Sequence, residues 1–127
     1  MKCPKCQGVL ETIIHSHIEA QGCINCRGLL LKPQVVEEVM LYEMLETVLD
    51  IGAPALGEKY DKIADIVCPH CQLHMKKRED PVQTHIWTEQ CPGCNRIFFD
   101  AGELTDLKFE TVADIFRDML KGHREED

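Results

Sequence analysis

Apolar residues along this chain take two recurring forms, three-residue runs and longer stretches at helical spacing. The runs are Leu29, Leu30, Leu31 and Ile97, Phe98, Phe99, each read as a short strand followed by a helix start. Pro33 suits the first helical position, where a missing N–H costs nothing, and Asp100 with Glu103 three residues on reads as a capping pair. Residues 35–51 then predict a helix ended by Gly52. Its apolar positions are two-sided. Met40, Leu41, Met44, Leu45, Val48, Leu49 and Ile51 share one arc opposite Glu43, Glu46 and Asp50, while Val35, Val36 and Val39 point away from it. Two surfaces are needed to cover such a helix: its own ribbon, and either the C-terminal helix or a second chain. Further on, Thr111 and Asp114 predict a cap ahead of Val112, Ile115, Phe116, Met119 and Leu120, with Gly122 as the stop and residues 123–127 as a solvated tail.

The strand runs belong to a repeat. "CPKCQGVL" (3–10) matches "CPHCQLHM" (68–75), and "CINCRGLLLKPQVVE" (23–37) matches "CPGCNRIFFDAGELT" (91–105). All eight cysteines fall in CxxC pairs, with sixteen residues between Cys6 and Cys23 and nineteen between Cys71 and Cys91. Both gaps suit a four-cysteine zinc site, in which two CxxC turns joined by a β-hairpin aim four thiolates at one ion. The expected sets are Cys3, Cys6, Cys23 and Cys26, then Cys68, Cys71, Cys91 and Cys94, holding two Zn2+ per chain. Ribbons of about 30 residues bury too little apolar surface to fold alone, and a structural zinc contributes on the order of 10 to 16 kcal/mol. The alternative, in which Cys68-Pro69-His70-Cys71 is a thioredoxin-like redox site, needs a long helix after Cys71. The Asp80-Pro81 turn signal stands there instead.

"CPHC…CPGCNRIFFDAGELTDL" resembles the bacterial zinc-ribbon family named for its similarity to the ribbon of transcription factor IIB, whose pattern runs CPxC, hairpin, CPxCxGxWxDxGEL. Over residues 68–107 the resemblance is close. Over 3–36 it is looser, with Ile24 in place of Pro and Lys32-Pro33-Gln34 in place of the Asp and Gly-Glu-Leu ending. The resemblance implies a zinc-binding fold and places the ligand roles on the eight cysteines; it implies no reaction.

Charge and context narrow the function classes. The net charge is −8, distributed as +2 over 1–32, −6 over 33–67, +1 over 68–99 and −5 over 100–127. Each four-thiolate zinc adds a further −2. Phosphate binding draws on clustered Lys and Arg, and the cluster present, Lys76-Lys77-Arg78, is followed at once by Glu79-Asp80 and reads as a solvated strand face. His15, His17, His74 and His85 are not needed as ligands, since four thiolates fill each shell. Cys3 stands too near the start for a signal peptide and no apolar run reaches membrane length, so a cytoplasmic protein with no membrane contact is expected.

The resulting reading is a small α+β metal-stabilised protein with two tandem four-cysteine zinc ribbons, each followed by α-helix. Its segments are 1–32 (first ribbon), 33–52 (amphipathic helix), 53–67 (linker), 68–99 (second ribbon) and 100–127 (C-terminal helical segment). Closed metal shells and no Ser, His and Asp constellation point to a non-catalytic module that binds another protein or a second copy through helix 35–51. A nucleic-acid-binding or transcription-associated ribbon is the second reading and a thiol redox protein the third.

Overall fold

The computed structural model describes residues 1–63, 65–79 and 87–126, with side chains to 114 and at 117 and 119 in the last helix. Strand β1 (Leu10–His15) turns at Ser16-His17 into β2 (Ile18–Cys23), and β3 (Leu29–Leu31) returns antiparallel along β2. The second unit repeats this with β4 (Lys76–Glu79), β5 (Trp87–Gln90) and β6 (Ile97–Phe99). The Asp80-Pro81 turn and His85 lie outside the described residues.

The two ribbons are one sheet. β3 pairs antiparallel with β6, Leu29 opposite Phe99, Leu30 opposite Phe98 and Leu31 opposite Ile97, giving the order β1-β2-β3-β6-β5-β4. Equivalent strands of the two repeats thus meet across a pseudo-two-fold axis, as in a closed dimer built from a single chain. This explains why both runs are wholly apolar: a central strand buried on both faces has no solvent side. The period-2 alternation places Leu30 and Phe98 among the cysteines, with Leu10, Ile66 and Met75. Leu29, Leu31 and Phe99 face the opposite layer, which the helices cover. The outer strands are β1 and β4, and Lys76, Lys77 and Glu79 on β4 are exposed charges of the kind that keep an edge from pairing with other chains.

The helices depart from expectation in instructive ways. Pro33 opens α1 (Pro33–Leu41) as predicted, but the helix stops there and α2 (Leu45–Leu49) follows after a corner at 42–44. Tyr42 is extended and Met44 is left-handed at φ 66°, which turns the chain so that Val35, Val39, Leu45 and Leu49 enter one core. The two-sided pattern of 35–51 is therefore the mark of a corner, not of a straight helix needing two cover surfaces. Leu41, Met44, Val48 and Ile51 are left exposed. Gly52 caps no helix; a Cβ there would meet Arg27 Cβ at 2.4 Å and Ala101 Cβ at 2.8 Å, so the glycine permits close packing. The segment read as a linker carries α3 (Pro54–Asp61), again opened by a proline.

Helix α4 (Glu103–Glu126) is longer than expected. Thr111, Asp114 and Gly122 lie within it, not at its ends. Its cap is also divided differently. Glu103 Oε1 accepts the Asp100 N–H at 2.9 Å, which is the expected half of the pair, but the Asp100 side chain turns elsewhere. Asp50, from the end of α2, supplies the missing acceptor: Oδ1 takes the Gly102 N–H at 2.9 Å and Oδ2 takes the Thr105 N–H at 3.0 Å and its hydroxyl at 2.9 Å. Gly102, at φ +88°, has no side chain with which to cap. Leu104 and Leu107 then join the core shared with α1 and α2.

Candidate metal centres

Each cysteine pair is presented by the same local turn. The first Cys of each CxxC donates its N–H to a residue five positions on, and its carbonyl accepts an N–H from four positions on, at 2.7 to 3.1 Å in all four cases. The residue accepted from is Gln7, Arg27, Gln72 or Asn95, directly after the second Cys, and all four are left-handed, with φ between 59° and 65°. That single reversal swings the chain out of the turn and leaves both sulfurs on its inner side. Short N–H to sulfur contacts line the turns, from Gly8 to Cys6 at 3.4 Å, from Gly28 to Cys26 at 3.4 Å and from Gly93 to Cys91 at 3.3 Å. Such donors favour the thiolate that a metal requires.

The turns converge in sequential pairs. Cys3, Cys6, Cys23 and Cys26 form one group and Cys68, Cys71, Cys91 and Cys94 the other, with all four sulfurs of each group within 4.8 Å of one another. Cys3 Sγ and Cys26 Sγ stand 3.7 Å apart, and the equivalent Cys68 and Cys94 also stand 3.7 Å apart. A tetrahedron with Zn–S bonds of about 2.3 Å has edges of roughly 3.8 Å. The donor set and spacing therefore fit two structural zinc ions, with no open coordination position. The thiols themselves show what the ion supplies. In the first group Cys3 is drawn down to about 5, chiefly by the Cys26 thiol, while Cys26 and Cys23 are pushed up. In the second, Cys94 falls to about 6 as hydrogen bonds to Arg96 and Cys71 outweigh burial, while Cys71 rises to about 12 through Cys94. Without a cation, four neighbouring sulfurs cannot all be thiolates.

One further cluster joins the units and has no signature in the spacing. Lys5, inside the first CxxC, is buried and reaches across the sheet junction to Asp100 Oδ2 at 2.8 Å and Glu89 Oε1 at 3.5 Å. Burial alone would lower its pKa, but these carboxylates hold it raised. Asp61, Asp100 and Glu103 also bring carboxylate oxygens within 4.8 Å of one another. Burial first, and the Asp100 carboxylate next, push Glu103 up to about 9. Lys5 is the counter-charge of this cluster, and the raised pKa of Glu103 lowers the cluster's negative charge. At the equivalent place in the second CxxC stands the exposed His70, with its pKa lowered by partial burial and by Arg96 and Lys32.

Residues 2–40 match the family described as Transcription factor zinc-finger. The match covers the first unit, a little under a third of the chain, in agreement with the resemblance to the transcription factor IIB ribbon; residues 68–107, whose motif reads closer to the family pattern, lie outside it. No curated protein and no solved structure matches the chain. Among the described residues, no helix is long and apolar enough to cross a membrane.

Proposed function

We propose that this chain is a non-catalytic, zinc-stabilised adaptor that binds another protein at the corner between α1 and α2. The observation behind this reading is the set of large apolar side chains left exposed there: Leu41, Tyr42, Met44, Val48 and Ile51. The two metal shells are closed by four thiolates each, which leaves the ions no substrate position. Beside the corner lies a pocket of about 330 Å3, lined by His15, His17, Ile18, Tyr42, Met44 and Val48. Exposed apolar groups gathered around a concave site are typical of protein-binding surfaces. A photo-crosslinking residue at Leu41 or Met44, incorporated in the native cell, tests this. The expected result is one dominant adduct that is absent from the same residue at Lys76. Equal labelling from both positions would overturn it.

The family description favours a second reading, a transcription-associated ribbon that touches nucleic acid. The charge opposes it, since an acidic chain has no cluster of cations beyond Lys76-Lys77-Arg78, and there Arg78 is engaged by Gln90. We expect no DNA or RNA binding tighter than non-specific contact, about 10⁻⁴ to 10⁻⁶ M at physiological salt. Fluorescence anisotropy with short oligonucleotides checks this, and sub-micromolar affinity lost on changing those three residues to Glu would establish the second reading.

A further inference from the structure

Lys5 is one ammonium between two buried carboxylates, and it serves one oxygen of each: Asp100 Oδ2 at 2.8 Å and Glu89 Oε1 at 3.5 Å. The other two oxygens, Asp100 Oδ1 and Glu89 Oε2, are buried with no hydrogen-bond partner among the described residues. Buried anionic oxygens without partners are costly, so further positive charge is favoured here. Asp100 is only 4 % exposed, yet it lines a pocket of about 300 Å3 beside α3 and the start of α4. Glu58, Asp61, Glu103 and Asp106 line the same pocket, and no Lys or Arg is among its described lining residues. A close approach builds it. Gly57 of α3 lies so near the 100–102 turn that a Cβ there would meet the Ala101 carbonyl oxygen at 2.1 Å. Asp61, four residues on, shares that face of the helix and is carried to Asp100 and Glu103. One carboxylate oxygen from each of the three lies within 4.8 Å of the others.

We infer that Asp61, Asp100 and Glu103 form a third cation site, which takes one hard divalent ion, Ca2+ or Mg2+, in addition to the two zinc ions. The donors are all carboxylate oxygens, which suit hard cations, whereas zinc is drawn to the eight thiolates. Oxygens on one ion lie at most two bond lengths apart, about 4 Å for Mg2+ and about 5 Å for Ca2+, and the observed convergence is of that size. Lys5 holds Asp100 through Oδ2, which leaves Oδ1 for the ion. The pocket has room for the waters that complete such a shell. A bound ion would tie the end of α3, in the segment between the two ribbons, to the start of α4. The site shares no residue with the pocket at the α1–α2 corner, so the inference stands or falls independently of the adaptor reading.

Isothermal titration calorimetry of the zinc-loaded full chain with CaCl2 and, separately, with MgCl2 at physiological salt tests it. The expected result is one saturable site per chain for at least one of the two ions, with the zinc content unchanged by elemental analysis; the two titrations show which ion the site prefers. Asp61→Asn changes an exposed residue, so it is expected to keep the fold in circular dichroism and both zinc ions while weakening the binding by on the order of tenfold or more. Glu11→Gln removes the same charge from an exposed position on β1 and should leave the binding unchanged. No binding of either ion at millimolar concentration would overturn the inference. So would binding to which Asp61→Asn makes no more difference than Glu11→Gln, which would be diffuse attraction to an acidic chain, and a third zinc ion that is lost on Asp61→Asn, which would make this a zinc site.

Discussion

The two units share their chemistry and differ in what they attach to it. Each presents four thiolates on two identical turns, each ends in a three-residue apolar strand, and those strands pair with one another. After the strands the likeness stops. The first unit continues through Lys32 into a short helix and a corner, while the second continues through Asp100 and Gly102 into the long α4. The divergence is reciprocal: Lys5 of the first unit binds Asp100 of the second, whereas the equivalent places hold His70 and Lys32, two groups with no attraction between them. The metal sites thus set what must be kept in each copy, and the contacts across the junction are free to differ so long as one side is satisfied.

The largest test of this comparison is loss of a metal. Cys3→Ser and Cys68→Ser are each expected to lower the zinc content from two ions to one by elemental analysis, and removal of both ions by a chelator to unfold the chain in circular dichroism. Each site contributes on the order of 10 to 16 kcal/mol of apparent binding free energy, more than a domain of this size has in reserve. Because binding displaces thiol protons, with Cys71 held up at about 12, retention of zinc should also weaken as the pH falls.

Next in size is the junction. Lys5→Met leaves Glu89 and Asp100 buried without their cation and is expected to cost about 3 to 5 kcal/mol in denaturant unfolding. At the matching position His70→Ala should change stability by no more than about 0.5 kcal/mol, because that side chain is exposed. Equal effects would mean that the junction is symmetric after all.

The helix caps differ in the same sense and more mildly. Asp50→Ala removes three bonds to the start of α4 and is expected to cost about 1 to 2 kcal/mol. Lys32 precedes α1 without any side-chain cap bond, so Lys32→Ala should be silent within about 0.5 kcal/mol.

The last effect is a slope with pH. Glu103 titrates at about 9 in the folded chain against 4.5 for an ordinary glutamate, so between these values the native state holds a proton that the unfolded state has lost. Stability therefore falls as pH rises through that window. Glu103→Gln keeps the oxygen that accepts the Asp100 N–H and removes the titration. In excess zinc, its melting temperature should gain on the wild type steadily from neutral pH toward pH 9, and parallel curves would refute the assignment.

The metal centres, the strands beside them and the start of α1 were legible in the sequence, because local constraints set them. A CxxC turn, a proline at a first helical position and a three-residue apolar run each depend on neighbours within a few residues. The sequence also carried the repeat, and the resemblance to the zinc-ribbon family found its match over residues 2–40. It did not carry the pairing of β3 with β6, because any two apolar strands are equally able to pair and nothing in 29–31 names 97–99 as the mate. Periodicity misread 35–51 as one helix because the corner at Met44 contains no glycine or proline, and the break becomes favourable only when it lets both halves bury in the same core. No sequence pattern singled out Lys5, and Asp50 read as part of a polar helix face. Only the joined sheet and the helices packed on it brought Asp100 to the first and the start of α4 to the second, since ion pairs and caps formed across 95 and 52 residues depend on tertiary distance and leave no trace in spacing.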